Sequence, residues 1–145
     1  MADDPNLVKV ELHGEDDQVE TLWAFDLGNG RYKLDNTPWY AYGVSTGDVI
    51  EAASDETGGF PVFRRVLEKS GYRTVRIVSD EDFTDELFQS IKDLGCSFEG
   101  ANRRYVAVDV PREVDLNAVT DFLTGKNIRW EHADPTWEEL HGADA

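Results

Sequence analysis

The run Gly43-Val44-Ser45-Thr46-Gly47-Asp48-Val49 comes nearest to a phosphate cradle, since glycines let backbone N–H groups approach an anion. It lacks the Lys-Ser/Thr ending of a nucleotide-binding loop and the Gly-x-Gly-x-x-Gly spacing of a dinucleotide site. It also leads into a strand, where both of those motifs lead into a helix. The expectation is a turn in which the Asp48 carboxylate accepts hydrogen bonds from nearby backbone N–H groups. The histidines, His13, His132 and His141, form no ligand pair at helical or hairpin spacing. A set of His132, Asp134 and His141 is the combination a metal could use, and no metal is expected there. Cys96 is the single cysteine, which leaves no internal disulfide and no Cys-type zinc site. It follows Gly95 at the start of a strand and reads as a small buried hydrophobe. Ser45 and Ser70 lack the setting of a nucleophile elbow. Acid–base catalysis needs a carboxylate with a shifted pKa and a placed partner, and spacing singles out neither. No catalytic residue and no cofactor is expected.

Two features could carry binding. The segment Trp39-Tyr40-Ala41-Tyr42 holds flat, rigid groups of the kind that anchor interfaces. The other is a sheet face carrying Arg76, Tyr105, Asp109, Arg129 and Glu131 by alternation. The candidate binding residues are Asn36, Trp39, Tyr40, Tyr42, Asp48 and Arg76.

Short strands must position the first feature. Leu7 to Leu12 alternates, with Val8, Val10 and Leu12 on one face. A polar turn, Gly14 to Gln18, leads to Val19–Leu27, where Thr21, Trp23, Phe25 and Leu27 share a side. Gly28-Asn29-Gly30 supplies the positive-φ residues of a tight hairpin, and Arg31 to Leu34 returns. Pro38 removes a ladder donor, so Asp35 to Ser45 is a connection, not a strand. Val49 to Ala53 and Phe60 to Leu67 complete five strands, which suggest a small bent β-sheet or SH3-like barrel over residues 1–70.

Residues 71–135 must position the second. Arg73 to Ser79 is a strand. Asp82 is expected to cap a helix in which Phe83, Leu87, Ile91 and Leu94 recur at helical spacing until Gly95. Cys96 to Gly100 is extended, Asn102-Arg103 turns, and Tyr105 to Val110 is a strand with Val106, Val108 and Val110 on one face. Asp115 caps a second helix, with Leu116, Val119 and Leu123 inward and Gly125 closing it. Ile128 to Ala133 is the last strand, Ile128 and Trp130 inward. This β-α-β-β-α-β order is the ferredoxin-like pattern. The fold class is α+β, with the two lobes packed as one compact unit. Residues 136–145 form an acidic tail, a short helical turn followed by disorder.

The 145 residues carry 30 acids against 14 bases, a formal net charge of −16. Seven acids lie within residues 3–20, five between Asp80 and Glu86, and five within residues 131–145. Such a surface repels phosphate backbones and anionic lipid, so neither nucleic acid nor membrane is an expected partner. The basic cluster Arg64, Arg65, Lys69, Arg73 and Arg76 is expected to pair with internal acids. The acidic start lacks the basic and apolar stretches of a signal peptide, and a cytoplasmic setting is the expectation.

The stretch Leu34 to Ile50, LDNTPWYAYGVSTGDVI, sets Asn36, Pro38, Trp39, Tyr40 and Ala41 ahead of Gly43-Val44-Ser45 and Gly47-Asp48-Val49. In this it resembles the bacterial family known as domain of unknown function 4265. A second stretch, Ser70-Gly71-Tyr72-Arg73-Thr74-Val75-Arg76, is similar to that family's junction of the same pattern. The resemblance implies a small, independently folding bacterial protein and brings no activity with it. Two functions follow as expectations. One is a non-catalytic interaction module for another protein, a basic one, in an inhibitor or immunity-type role. The other is a small-ligand sensor or enzyme with a pocket at the seam of the lobes, formed by the Trp39–Tyr42 segment, Asp48 and Arg76.

Overall fold

A computed structural model describes residues 6–54 and 58–141. The acidic start at Asp3 and Asp4 and the final four residues, where disorder is expected, lie outside them. The chain is mixed α and β, mostly strands, and divides into two compact units, Met1–Ser70 and Gly71–Ala145.

The first unit is a closed barrel of five strands: β1 (Leu7–His13), β2 (Val19–Gly28), β3 (Arg31–Leu34), β4 (Val49–Ala53) and β5 (Val62–Glu68). Neighbours pair antiparallel from β1 to β5, and a parallel bridge between Glu11 and Val62 closes the ring, helped by Glu11 N–H donating to the Pro61 carbonyl at 2.8 Å. Gly28, Asn29 and Gly30 all have positive φ, as the tight return of β3 on β2 requires. Register shifts between Asp26 and Gly28, and at two points along β4, bend the strands enough to meet.

The register sets which side chains enter the barrel. Val10 pairs with Leu22, Leu12 with Glu20 and Val8 with Ala24. The buried side of β2 is therefore Glu20, Leu22 and Ala24, while Thr21, Trp23 and Leu27 are exposed and Phe25 is half-buried. The core of this unit is Val10, Leu12, Leu22, Ala24, Leu34, Ile50 and Ala52, joined by Ala41 and Val44 of the connection before β4.

The second unit is a four-stranded sheet with helices: β6 (Arg73–Val78), α1 (Asp85–Asp93), β7 (Ser97–Asn102), β8 (Tyr105–Val110), α2 (Leu116–Gly125), β9 (Arg129–Asp134) and α3 (Trp137–His141). The sheet order is β7-β8-β6-β9, and all three pairings are antiparallel. Val75 and Ile77 pair with Val108 and Val106. These four form one core with Phe83, Ile91, Val119 and Leu123, against which Leu87, Leu116, Ile128 and Trp130 pack. Both α1 and α2 thus shield the same side of the sheet.

Two helix boundaries differ from expectation. Thr84 caps α1, its hydroxyl accepting from Leu87 N–H at 3.1 Å; Asp82 instead pairs with Arg104 at 2.9 Å. Placing the cap two residues later lets Phe83 enter the core ahead of the helix. Asp115 caps α2 as expected, but the left-handed residue after that helix is Asn127, φ 58°, two residues beyond Gly125. Asn tolerates this conformation almost as well as glycine, so the chain can turn away there and not at Gly125.

Candidate functional site

The connection from Asp35 to Asp48 in the barrel unit carries five of the six candidate binding residues. Backbone bonds hold its ends, Asp35 N–H donating to the Trp23 carbonyl and Gly47 N–H to the Leu34 carbonyl, each at 2.9 Å. Side chains anchor the middle, where Pro38 and the irregular backbone leave N–H groups without a ladder. Asn36 Oδ1 accepts from Trp23 N–H of β2 at 2.8 Å. Thr37 and Pro38 are buried, and Ala41 and Val44 plug the barrel core.

The principal clamp is Glu20, which spacing alone does not single out. Its Oε1 accepts from Trp39 N–H at 2.7 Å, and its Oε2 accepts from Tyr40 N–H and Ala41 N–H, each at 2.8 Å. The residue is 7% exposed. Three short charge-assisted bonds offset the cost of withdrawing a carboxylate from water. The sequence does hold a signal for it: Glu20 shares its parity with Leu22 and Ala24, so an acid stands in a row of core positions.

Asp48 makes a second clamp, of the kind expected for this turn. Oδ2 accepts from Ser45 N–H at 2.9 Å and from Lys69 Nζ at 2.7 Å, while Oδ1 accepts from Ser70 N–H at 2.8 Å. The Ser70 hydroxyl donates to the Thr46 carbonyl at 2.7 Å. The side chain is fully buried and ties the loop to the end of β5.

Between the clamps the aromatic residues sit at graded depth. Trp39 and Tyr40 are half-buried, and Tyr42 is 37% exposed. The turn joining β1 to β2 lies directly against Tyr40. A Cβ on Gly14 would stand 2.7 Å from Tyr40 Cβ and 2.9 Å from its carbonyl oxygen, so only glycine fits. That turn carries Glu15, Asp16 and Asp17, all exposed, with Asp16 and Asp17 at positive φ. The turn that bears these three carboxylates therefore meets the aromatic loop where Gly14 approaches Tyr40.

Arg76, the sixth candidate, belongs to the second unit. It lies on β6, on the side away from α1 and α2, is 2% exposed, and places Nη1 3.9 Å from Glu131 Oε1. Other members of the basic cluster also meet acids or carbonyls: Arg65 pairs with Glu51 at 2.7 Å, and Arg73 donates to the Pro111 and Val114 carbonyls.

Burial shifts the pKa of both Cys96 and His132. Burial, and after it the charge of Asp109, pushes the Cys96 thiol up to about 11, with Arg73 acting in the opposite direction. Burial and the neighbouring His141 lower the pKa of His132, whose ring meets Trp130 edge-on at 4.9 Å. Among the described residues no group of three His, Cys, Asp or Glu side chains could hold a metal ion, and no helix is long and apolar enough to cross a membrane.

The fold resembles that of a solved structure, a hypothetical protein from Neisseria gonorrhoeae, with a TM-score of 0.72 at 17% identity, covering 88% of this chain and 94% of that one. At that identity the likeness speaks for the fold alone. No curated protein matches the sequence. The family model described as "Domain of unknown function (DUF4265)" matches residues 20–132, a span that holds the Glu20 clamp, the aromatic loop and Asp48, and the chain belongs to that family.

Proposed function

We propose that this chain is a non-catalytic interaction module that binds a basic protein through the aromatic loop of its barrel. The observation that carries the reading is the close packing of Gly14, which opens the turn bearing Glu15, Asp16 and Asp17, against Tyr40, two residues from the exposed Tyr42. Aromatic faces and carboxylates side by side suit lysine and arginine, which gain cation–π attraction and ion pairing from one surface. The loop is also clamped before any partner arrives, so binding would forfeit little conformational entropy. The three structural hydrogen bonds that each of Glu20 and Asp48 accepts and the raised thiol of Cys96 support a role without chemistry.

The same reading takes the barrel as SH3-like and the second unit as ferredoxin-like. Sheet order β7-β8-β6-β9, antiparallel throughout, with α1 and α2 on one side, supports the latter.

Co-purification from the source organism's lysate tests the proposal, run with the wild type, with Tyr42→Ser, and with a triple variant, Glu15→Gln, Asp16→Asn and Asp17→Gly, that keeps the left-handed turn. The expected result is a basic protein kept by the wild type at low salt, released at high salt, and lost by both variants. A partner kept equally by the triple variant, or no partner at either salt concentration, would refute the proposal.

A further inference from the structure

Strand β7 forms one edge of the second unit's sheet. Edge strands present N–H and C=O groups to outside partners unless proline, lysine or a cover blunts them. β7, Ser-Phe-Glu-Gly-Ala-Asn, has neither proline nor lysine, and Ser97, Gly100, Ala101 and Asn102 are exposed. Beside it runs a groove of about 530 Å³ between α1 and β7. Its floor is Phe88 stacked on Phe98 at 4.7 Å between ring centres, with the planes 20° apart. Lys92 lies 5.8 Å from the Phe98 ring centre and Arg103 5.2 Å from that of Phe88. Asp85, the acid of the lining, is bonded to Arg103 at 2.8 Å.

The local charge is what sets this groove apart. Its lining holds two bases and one acid, whereas the crevice at the start of α1 holds Asp82 and Glu86 against Lys126. The unit as a whole, residues 71–145, carries 16 acids and 8 bases, a net −8. In so acidic a molecule an aromatic groove with a positive rim selects an apolar segment flanked by acids. The chain owns such a segment. On α3, Trp137 is 49% and Leu140 44% exposed, three residues apart and so on one side, with Glu138 and Glu139 beside them. It cannot fill its own molecule's groove from this position. α3 packs against β9, the opposite edge, three strand spacings or about 14 Å from β7.

We infer that the Phe88–Phe98 groove receives Trp137 of a second copy of this chain, with Glu138 and Glu139 facing Lys92 and Arg103. The contact joins unlike surfaces, so mutual exchange gives a closed two-fold dimer, and one-way donation gives an open string. The net repulsion of two acidic molecules is screened beyond about 8 Å at physiological salt, which leaves the contact pairs to decide. This inference rests on a different unit from the proposed partner surface and stands or falls apart from it.

Sedimentation velocity over about a hundredfold range of concentration tests it, because a reversible contact follows mass action. The wild type should sediment faster as concentration rises, while Trp137→Ala and Lys92→Glu, both exposed changes, should each stay monomeric. An equimolar mixture of the two variants keeps one groove–segment contact, the first variant's groove on the second's segment, and should associate more weakly than the wild type but more than either variant alone. A wild type that stays monomeric throughout, a Trp137→Ala variant that associates like the wild type, or a mixture that associates no more than either variant alone would each overturn the proposal.

Discussion

Cys96 shows how position decides what a reactive side chain does. It stands just before β7 at 6% exposure, and burial together with Asp109 holds its thiol at about 11, against an ordinary value of 9.0. The folded state keeps the proton more tightly than the unfolded chain does. The resulting stability is complete below pH 9.0 and disappears as pH rises through about 11. That gap corresponds to about 2–3 kcal/mol. Urea unfolding of wild type and Cys96→Ala across that range should show the wild type losing stability relative to the variant. Parallel curves would mean that the thiol ionises as freely in the fold as out of it. Thiol reagents should likewise react slowly at neutral pH until the chain is unfolded.

At the scale of elements, the aromatic loop is held by carboxylates where a sheet would use a neighbouring strand. Glu20→Ala would strip three N–H groups of their acceptor and should cost about 3 kcal/mol in urea unfolding. Amide exchange at Trp39, Tyr40 and Ala41 should speed up in step, and unchanged protection there would remove Glu20 from its role. The loop, its Pro38 and the Asp48 turn are legible in the sequence, whereas this clamp is hard to see. Both parities of β2 contain apolar residues, and the larger ones, Trp23, Phe25 and Leu27, attract attention. A five-stranded barrel has little room inside, so it takes Leu22 and Ala24 and leaves the bulkier row outside. Thr84 is obscured in a similar way, by the acidic run ahead of it. The helix and strand periods of the second unit are plain because each apolar row there has a single parity. Closure of the barrel is less so, since the Glu11–Val62 bridge joins positions far apart in the chain.

On the scale of the whole molecule, charge outweighs every other surface property. Each unit carries a net −8, from 14 acids and 6 bases in residues 1–70 and 16 and 8 in residues 71–145. The ion pairs Arg65–Glu51, Arg103–Asp85, Arg104–Asp82 and Arg129–Asp80 are exposed, and pairs of that kind contribute about 0–1 kcal/mol each. Screening should therefore relieve more repulsion than attraction, and Tm should rise as NaCl is added. Thermal unfolding in low and high salt reads this directly; a falling Tm would put the surface pairs in command.

Asp16 and Asp17 both adopt the left-handed backbone that a tight hairpin turn demands. Asn-Gly is the pair most at ease in that geometry. Exchanging the two aspartates for it would erase two negative charges and relax the backbone in one step. The charge of this rim and the rigidity of its hairpin are thus separable properties, and a weakened complex could be blamed on electrostatics without suspicion of a loosened scaffold.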